Sequence, residues 1–124
     1  MPATIEPWLA VPDATRALQF YEAAFGAEVG ERVESEPGTV EVARLAIAGA
    51  GFWIARDPDA SPVAGRGPAV RLIVVAEVPD ALFARALAAG ATEIAAMHDA
   101  HGWHVGRLVD PFGHAWEVGA RLTR

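Results

Sequence analysis

The chain of 124 residues lacks cysteine and lysine, and it has no long apolar run. Without cysteine it can form no disulfide, no thiolate metal site and no thiol nucleophile. No apolar stretch approaches the roughly 18 residues that a membrane-spanning helix needs. The pattern of a signal sequence is also missing, since Glu6, Pro7 and Pro12 interrupt the N-terminal segment. These absences predict a cytoplasmic protein that does not span a membrane.

The charged residues include only one basic type, and acidic residues outnumber basic ones. All ten basic residues are arginine, and against sixteen acidic residues they leave a net charge of −6. The arginines are scattered along the chain without a basic cluster, which argues against nucleic acid as a partner. Hydrophobic residues make up 52% of the chain, so a single folded domain with a real core is expected rather than disorder.

An internal repeat is the main organising feature. The letters "VPDA" occur at residues 11–14 and again at 78–81, and each copy is followed by apolar residues at helical spacing. Each helical pattern stops at a glycine, Gly26 or Gly90, the residue best suited to end a helix. An extended apolar run precedes each helix, and a strand-turn-strand pattern follows it. The sequence therefore predicts two copies of a β-α-β-β-β unit.

The repeat also sets the domain boundaries. We expect an α+β fold in one domain, residues 1–124, with a first module at 1–57 and a second at 69–124. The segment 58–68 is dense in proline, glycine and serine and is predicted to be the linker. Residues 43–55 align with 106–118 without gaps, an alignment that pairs Trp53 with Trp116 and Ile54 with Glu117.

Three stretches carry a family resemblance: "FYEAAFGAE" at 20–28, "ALAAGATE" at 86–93 and "VDPFGHAWEV" at 109–118. They resemble the vicinal oxygen chelate superfamily, which includes glyoxalase I, the bleomycin-resistance proteins and the extradiol dioxygenases. The resemblance implies that the two modules form an eight-stranded sheet curled into a cup, usually in a homodimer. In metal-dependent members, side chains from the first and last strand of each module hold a cation in that cup.

The last strands supply two of those four positions. Glu117 matches the carboxylate ligand of the family, and strand alternation puts it on the face opposite Trp116 and Val118, which we expect to pack against a helix. The ungapped alignment puts Ile54 at the equivalent position of the first module. Isoleucine cannot bind a metal, so one ligand is missing.

The first strands supply the other two. Glu6 stands where the family commonly has a ligand histidine, and Trp8 shares its face. In the second module the position falls on Arg71 when counted from Gly90, or on Ile73 when the two "VPDA" sequences are matched. Neither side chain can coordinate a cation.

These four positions lead to a hypothesis about the site. A guanidinium offers a planar fork of donors to carboxylates, so we expect Arg71 to take the place of the metal and to pair with both Glu6 and Glu117. No cofactor is therefore expected. The alternative is a divalent metal held by Glu6 and Glu117, because carboxylates suit hard cations.

Histidines recur at three-residue spacing in "MHDAHGWHVG", at His98, His101 and His104. The two glycines in this stretch predict a loop rather than a helix, which weakens a metal site there. We expect a loop at the mouth of the cup, with Trp103 and His104 near a ligand. Trp8 is expected to line the cup, whereas Trp53, Trp116 and the aromatic residues of the first helix are expected in the core.

The function predicted first is a metal-independent small-molecule-binding protein of the glyoxalase/bleomycin-resistance type. Its ligand would be aromatic or drug-like and would lie in the cup or at the dimer interface, so that the protein could sequester a toxic compound or antibiotic. The expected ligand contacts are Glu6, Trp8, Ile54, Arg71, Ile73, Trp103 and His104.

The alternative is a glyoxalase-like lyase or isomerase, or a dioxygenase. In that case Glu117 would be a metal ligand or a general base whose pKa is raised by the apolar strand around it, with Arg71 stabilising an oxyanion.

Overall fold

The computed structural model describes residues 4–60 and 70–122. It divides into two compact units, Met1–Ser61 and Pro62–Arg124, and the division falls inside the predicted linker 58–68, of which residues 61–68 lie outside the described part. Each unit has the element order β-α-β-β-β. The fold class expected from the repeat, α+β with two tandem modules, is therefore confirmed.

Module one consists of β1 (Trp8–Val11), α1 (Ala14–Phe25), β2 (Glu28–Glu36), β3 (Thr39–Ile47) and β4 (Ala50–Arg56). The strands form one sheet in the order β1-β4-β3-β2. The β1 and β4 strands run parallel, and the other neighbours are antiparallel.

Module two repeats this topology with β5 (Arg71–Val75), α2 (Pro79–Ala89), β6 (Thr92–Ala100), β7 (Trp103–Val109) and β8 (Ala115–Arg121). The sheet order is β5-β8-β7-β6, with β5 parallel to β8. The loop predicted over the three histidines is wrong: His98 lies on β6 and His104 on β7, and only His101 and Gly102 form the turn between them. The two glycines mark a hairpin turn and a packed strand position instead.

The helices begin and end largely as their sequences predict. Asp13 caps α1 by accepting a hydrogen bond from the backbone N–H of Arg16 at 3.0 Å, and Gly26 ends the helix at φ +67°. In α2 no side chain caps the N-terminus, and Asp80 lies in the first turn. Neither helix in the described ranges is long and apolar enough to cross a membrane.

The core of module one lies between α1 and one face of its sheet. Tyr21 is fully buried and meets Phe52 of β4 edge-on, with 5.3 Å between the ring centroids. Leu45 of β3 and Ile54 of β4 are also fully buried. In module two, a β-carbon on Gly106 of β7 would collide with the ring of Phe83 of α2, so the helix packs directly on that strand. The opposite surface of each sheet, away from its helix, is called the distal face below.

The two modules differ in the turn before their last strand, and this corrects the ungapped alignment. Buried Leu45 pairs with buried Phe52, and buried Leu108 pairs with buried Trp116. The next pairs toward the turn are Ala46 with Gly51 and Val109 with Ala115. They enclose four residues, 47–50, in module one and five residues, 110–114, in module two. The alignment therefore slips by one residue after the turn.

Two expectations fail because of that slip. The residue equivalent to Glu117 is Trp53 rather than Ile54, and Ile54 is 0% exposed on the helix side of its sheet, away from the distal face. Trp53 is only half-buried and lies on the distal face, so its expected place in the core is wrong. The core position expected for Trp116 is confirmed at 3% exposure.

The longer turn of module two is held by a buried carboxylate. Asp110 is 3% exposed, and its Oδ1 accepts hydrogen bonds from the backbone N–H groups of Phe112 and His114, each at 2.9 Å. Its Oδ2 accepts from the indole Nε1 of Trp116 at 2.9 Å. The backbone N–H of Asp110 donates to the carbonyl of His114, and Gly113 takes φ +94°. Asp110 thus fixes the residue at which β8 begins.

We expect Asp110→Ala to destabilise the protein by about 3 kcal/mol, because three donors in and around a buried turn lose their acceptor together. Urea denaturation followed by circular dichroism measures the change. The exposed Asp59 provides the control, since Asp59→Ala should change the free energy of unfolding by no more than about 0.5 kcal/mol. Equal effects of the two substitutions would contradict the structural role given to Asp110.

Candidate functional site

Glu6 is the centre of a polar and aromatic cluster on the distal face of module one. Its Oε1 accepts a hydrogen bond from Nε of Arg44 at 2.8 Å and another from Nε1 of Trp53 at 3.0 Å. Strand register explains the meeting, because Trp53 pairs with Arg44 on one side and with Trp8 on the other. We call Glu6, Trp8, Arg44 and Trp53 the Glu6 cluster.

The two indoles of the cluster form a stacked pair. The ring centroids of Trp8 and Trp53 are 5.9 Å apart, and their planes are inclined by 26°. Trp8 remains 59% exposed, so a large aromatic surface stays open to solvent. The hydrogen bond from Trp53 to Glu6 fixes the inner ring, and the stack then fixes the outer one.

Gly51 makes room for the guanidinium of the cluster. A β-carbon at this position would overlap the Arg44 guanidinium, so any larger residue would push the arginine aside. Gly51 lies on β4 two residues before Trp53 and therefore shares its face. The glycine is needed for this close approach of the arginine side chain to the β4 backbone.

The electrostatics of the cluster make Glu6 a permanent acceptor. The hydrogen bond from Arg44 is the main influence that lowers the pKa of Glu6 below its ordinary 4.5, and the same bond raises the pKa of Arg44. Glu6 is therefore ionised at neutral pH. It can accept hydrogen bonds, but it is a weak proton acceptor for catalysis.

In module two, Glu117 pairs with Arg71 across the parallel strands β8 and β5. Nε of Arg71 lies 3.7 Å from Oε2 of Glu117, and the two side chains are 44% and 23% exposed. The sequence analysis expected Arg71 to pair with both Glu6 and Glu117, and this contact is the second of those two pairs. Glu6 is paired with Arg44, a partner that the sequence analysis missed, and the expected pairing of Glu6 with Arg71 stays a prediction.

Strand register also shows which of Arg71 and Ile73 is equivalent to Glu6 of module one. Trp8 pairs with Trp53 in module one, and Ile73 pairs with Glu117 in module two. Because Trp53 and Glu117 are equivalent, Ile73 is equivalent to Trp8 and Arg71 to Glu6. Ile73 itself is 46% exposed beside Glu117.

Trp103 and His104 lie on opposite faces of the second sheet. Trp103 pairs with Arg121 on the distal face, and the guanidinium carbon of Arg121 is 5.0 Å from the centroid of the indole ring. His104 faces the helix side, where its Nδ1 is 2.6 Å from Asp99 and its Nε2 is 3.0 Å from Asp80. The structure thus keeps Trp103 on the same face as Glu117 and separates His104 from it.

Comparison with known proteins identifies the family of this fold. The model of the glyoxalase-like domain family matches residues 7–119. The chain belongs to that family. Proteins of Mycobacterium bovis and Mycobacterium tuberculosis are each 35% identical to this glyoxalase-like chain over 93% of its length, and the matches cover 81% and 72% of those proteins. The family confirms the resemblance to the vicinal oxygen chelate superfamily.

Solved structures share the same fold. TioX from Micromonospora sp. ML1 is 27% identical, has a TM-score of 0.78 and is matched over 98% of this chain and 100% of its own. The fosfomycin resistance protein FosX from Listeria monocytogenes is 17% identical, with a TM-score of 0.71 over 97% of this chain and 93% of its own. FosX has also been solved in complex with Mn(II). At 17% identity the likeness to FosX shows the fold alone.

The residues at the family's metal positions do not fit a divalent cation. Strand register assigns these positions to Glu6, Trp53, Arg71 and Glu117. An indole N–H and a guanidinium offer no lone pair to a metal, and each carboxylate already has an arginine beside it. Across residues 4–60 and 70–122 there is no group of three His, Asp or Glu side chains that could hold a metal ion.

His104 ties α2 to the sheet of module two through its charge. Each ring nitrogen lies beside a carboxylate, which can only accept, so the imidazole bonds to both only when it carries both protons. Asp80 first and Asp99 second raise the pKa of His104 above its ordinary 6.5. Sequence reasoning found this histidine but not its partners, which are 24 and 5 residues away along the chain.

We expect Gly51→Ala to displace the Arg44 guanidinium and so to bring the pKa of Glu6 back toward its ordinary 4.5. An NMR titration of the side-chain carboxyl carbon of Glu6 measures this. Gly30→Ala is the matched control, because a β-carbon at Gly30 meets only a backbone oxygen at an ordinary 3.5 Å. An unchanged pKa of Glu6 in the Gly51 variant would contradict the packing described for Arg44.

The His104 contacts predict a pH-dependent stability. Since the folded state raises the pKa of His104, its contribution is complete below about pH 6.5 and is lost as the pH rises through the folded-state value. The difference in unfolding free energy between the wild-type protein and His104→Gln should therefore shrink with rising pH. Asp80→Asn, which removes the larger influence, should weaken this dependence, and a difference that does not vary with pH would contradict the ion pairs.

Proposed function

We propose that this protein binds a planar aromatic or drug-like small molecule without a metal, in the manner of the glyoxalase/bleomycin-resistance type. The observation that carries the proposal is the indole of Trp8, which is 59% exposed yet held in place by its stack on Trp53. The exposed indole keeps a large apolar surface in water, and a ligand that stacks on it would remove that surface from water. A ring that is already fixed loses little conformational freedom when a ligand stacks on it.

Polar groups beside the indoles can orient such a ligand. Among the described residues, Oε2 of Glu6 and the terminal nitrogens of Arg44 have no hydrogen-bond partner. They offer an acceptor and several donors next to an aromatic surface. Small-molecule sites commonly combine an apolar wall with a few fixed polar groups of this kind.

Metal independence is proposed from the same chemistry. The two carboxylates at the family's ligand positions are paired with arginines, and the other two positions are Trp53 and Arg71. The tie to Arg44 is expected to keep Glu6 from a cation. Elemental analysis of the purified protein tests this, and a stoichiometric divalent metal lost on Glu117→Ala would overturn it.

Sequestration of a toxic compound is the biological role that we propose for this binding. FosX, one of the proteins that share the fold, is a fosfomycin resistance protein. A homodimer is expected from the family resemblance, and analytical ultracentrifugation measures it directly. The binding site on module one requires neither the sequestering role nor the homodimer.

One observation favours catalysis as a second candidate. Glu117 is 23% exposed on the distal face of module two, and Arg71 lies 3.7 Å away. Unlike Glu6, Glu117 has no hydrogen bond from its arginine, so its carboxylate would be able to remove a proton next to a carbonyl while Arg71 stabilises the resulting oxyanion. This would make the protein a glyoxalase-like lyase or isomerase.

Tryptophan fluorescence during a screen of planar aromatic compounds tests the binding proposal. We expect Trp8→Ala to weaken the tightest binder at least about tenfold, since it removes the stacking surface. Val33→Ala, which shortens another exposed apolar side chain of module one, should leave the affinity unchanged. Equal affinity of the wild-type protein and the Trp8 variant would overturn the assignment of the site.

The binders are then assayed for turnover. Binding without product supports sequestration. Product formation that Glu117→Gln abolishes would replace it with catalysis.

A further inference from the structure

The distal face of module two gathers charge that is scattered in the sequence. Arg71 lies on β5, Arg107 on β7 and Arg121 on β8. Arg107 lies opposite Glu117 in the register of β7 and β8, and the side chain of Arg71 forms an ion pair with the Glu117 carboxylate. We call Arg71, Arg107, Glu117 and Arg121 the arginine face.

This surface has the opposite sign to the chain as a whole. Three arginines and one glutamate give the arginine face a charge of +2, from +3 and −1, in a chain whose net charge is −6. The distal-face positions of β5, β7 and β8 contain no acid other than Glu117. A positive surface concentrates small anions locally, even on a protein whose net charge is negative.

Arg107 is the residue with unused binding capacity. Within residues 4–60 and 70–122 it has neither an ion pair nor a hydrogen bond from its side chain, and the nearby Glu117 is paired with Arg71. It is half-buried on a central strand between β6 and β8. A partly desolvated guanidinium without a partner is unfavourable, and an oxyanion that accepts two of its hydrogen bonds relieves that cost.

The arginine face also has an apolar border. Ile73 and Val75 of β5 are 46% and 60% exposed on the same face, and Trp103 lies under the Arg121 guanidinium. Arginines beside exposed aliphatic side chains suit a molecule with a charged end and an apolar body. A free inorganic anion would use only the charged part.

We propose that the arginine face is an oxyanion site, which binds the carboxylate or phosphate group of a small organic molecule through Arg107, with Arg71 and Arg121 beside it. The site uses none of the residues of the Glu6 cluster and does not rest on the aromatic binding proposed above. It shares Arg71 and Glu117 with the catalytic alternative. Glu117 holds Arg71 in place through its ion pair and leaves Arg107 free for the ligand.

NMR titration tests the proposal on the full chain at constant ionic strength. The probes are inorganic phosphate, benzoate and its neutral analogue benzamide, with chloride as the background anion. We expect saturable shifts of the Nε–Hε signals of Arg71, Arg107 and Arg121 with phosphate and with benzoate, and none with benzamide. The anion that binds more tightly identifies the preferred group, whereas failure of both anions to shift these signals would overturn the proposal.

Matched variants assign the effect to this face. Arg107→Gln should weaken binding at least tenfold, and Arg107→Lys, which keeps the charge but not the planar fork, should restore only part of it. Arg16→Gln makes the same change of charge on the exposed side of α1 and should leave the affinity unchanged. An equal loss in the Arg16 variant would show that only net charge matters and would overturn the site.

Two further variants guard against misfolding of Arg107→Gln and distinguish the oxyanion site from the aromatic site. If Arg107→Gln does not give a folded spectrum, Arg121→Gln supplies a second test of the same surface, with a weakening of phosphate binding expected. Trp8→Ala should leave phosphate binding unchanged, so that failure of the oxyanion site and failure of the aromatic site can be told apart. Phosphate binding that depends on Trp8 would contradict the placement of the site on the arginine face.

Discussion

The buried carboxylate of Asp110 is the interaction on which the arrangement of module two depends. A charged group taken out of water is tolerated only when its hydrogen bonds are replaced, and here backbone N–H groups and an indole replace them. The same bonds decide where the turn ends and therefore which side chains of β8 face the helix. Trp116 is turned inward to reach Asp110, so the next residue, Glu117, must face outward. The carboxylate at 117 owes its position to the carboxylate at 110.

Module one reaches a similar geometry with a shorter turn and different chemistry. Its last strand presents Trp53 where module two presents Glu117, and its first segment presents Glu6 where module two presents Arg71. The first position thus carries an acid in module one and a base in module two, and the last position carries an indole in module one and an acid in module two. The result is a neutral, aromatic surface in one module and a positively charged surface in the other, on the same backbone topology.

Much of the fold could be predicted from the sequence, because the signals that specify it are local. Helical spacing, a capping aspartate and one terminal glycine predicted α1, and the repeated pattern predicted the second module. The candidate site was less accessible, since it depends on which residues lie opposite each other across strands. Glu117 was placed correctly by alternation within its own strand, whereas Ile54 was misplaced because the gapless alignment ignored one extra residue in a turn.

Other parts of the site left no signal in the sequence that local reasoning could use. Arg44 lies 38 residues from Glu6, and only strand register brings them together. Asp80 and Asp99 look like ordinary surface acids until the fold places His104 between them. The three arginines of the arginine face lie far apart in the chain, so that a search for basic clusters along the sequence does not find them.

The unequal turns show how a duplicated unit can acquire new surface chemistry without replacing a residue. Inserting or deleting one position in a hairpin turn exchanges the two faces of the following strand, since successive side chains point in opposite directions. Side chains of that strand that faced the core then face solvent, and those that faced solvent then face the core. Between two copies of a module, a change in length can therefore alter what a surface recognises more abruptly than any single substitution.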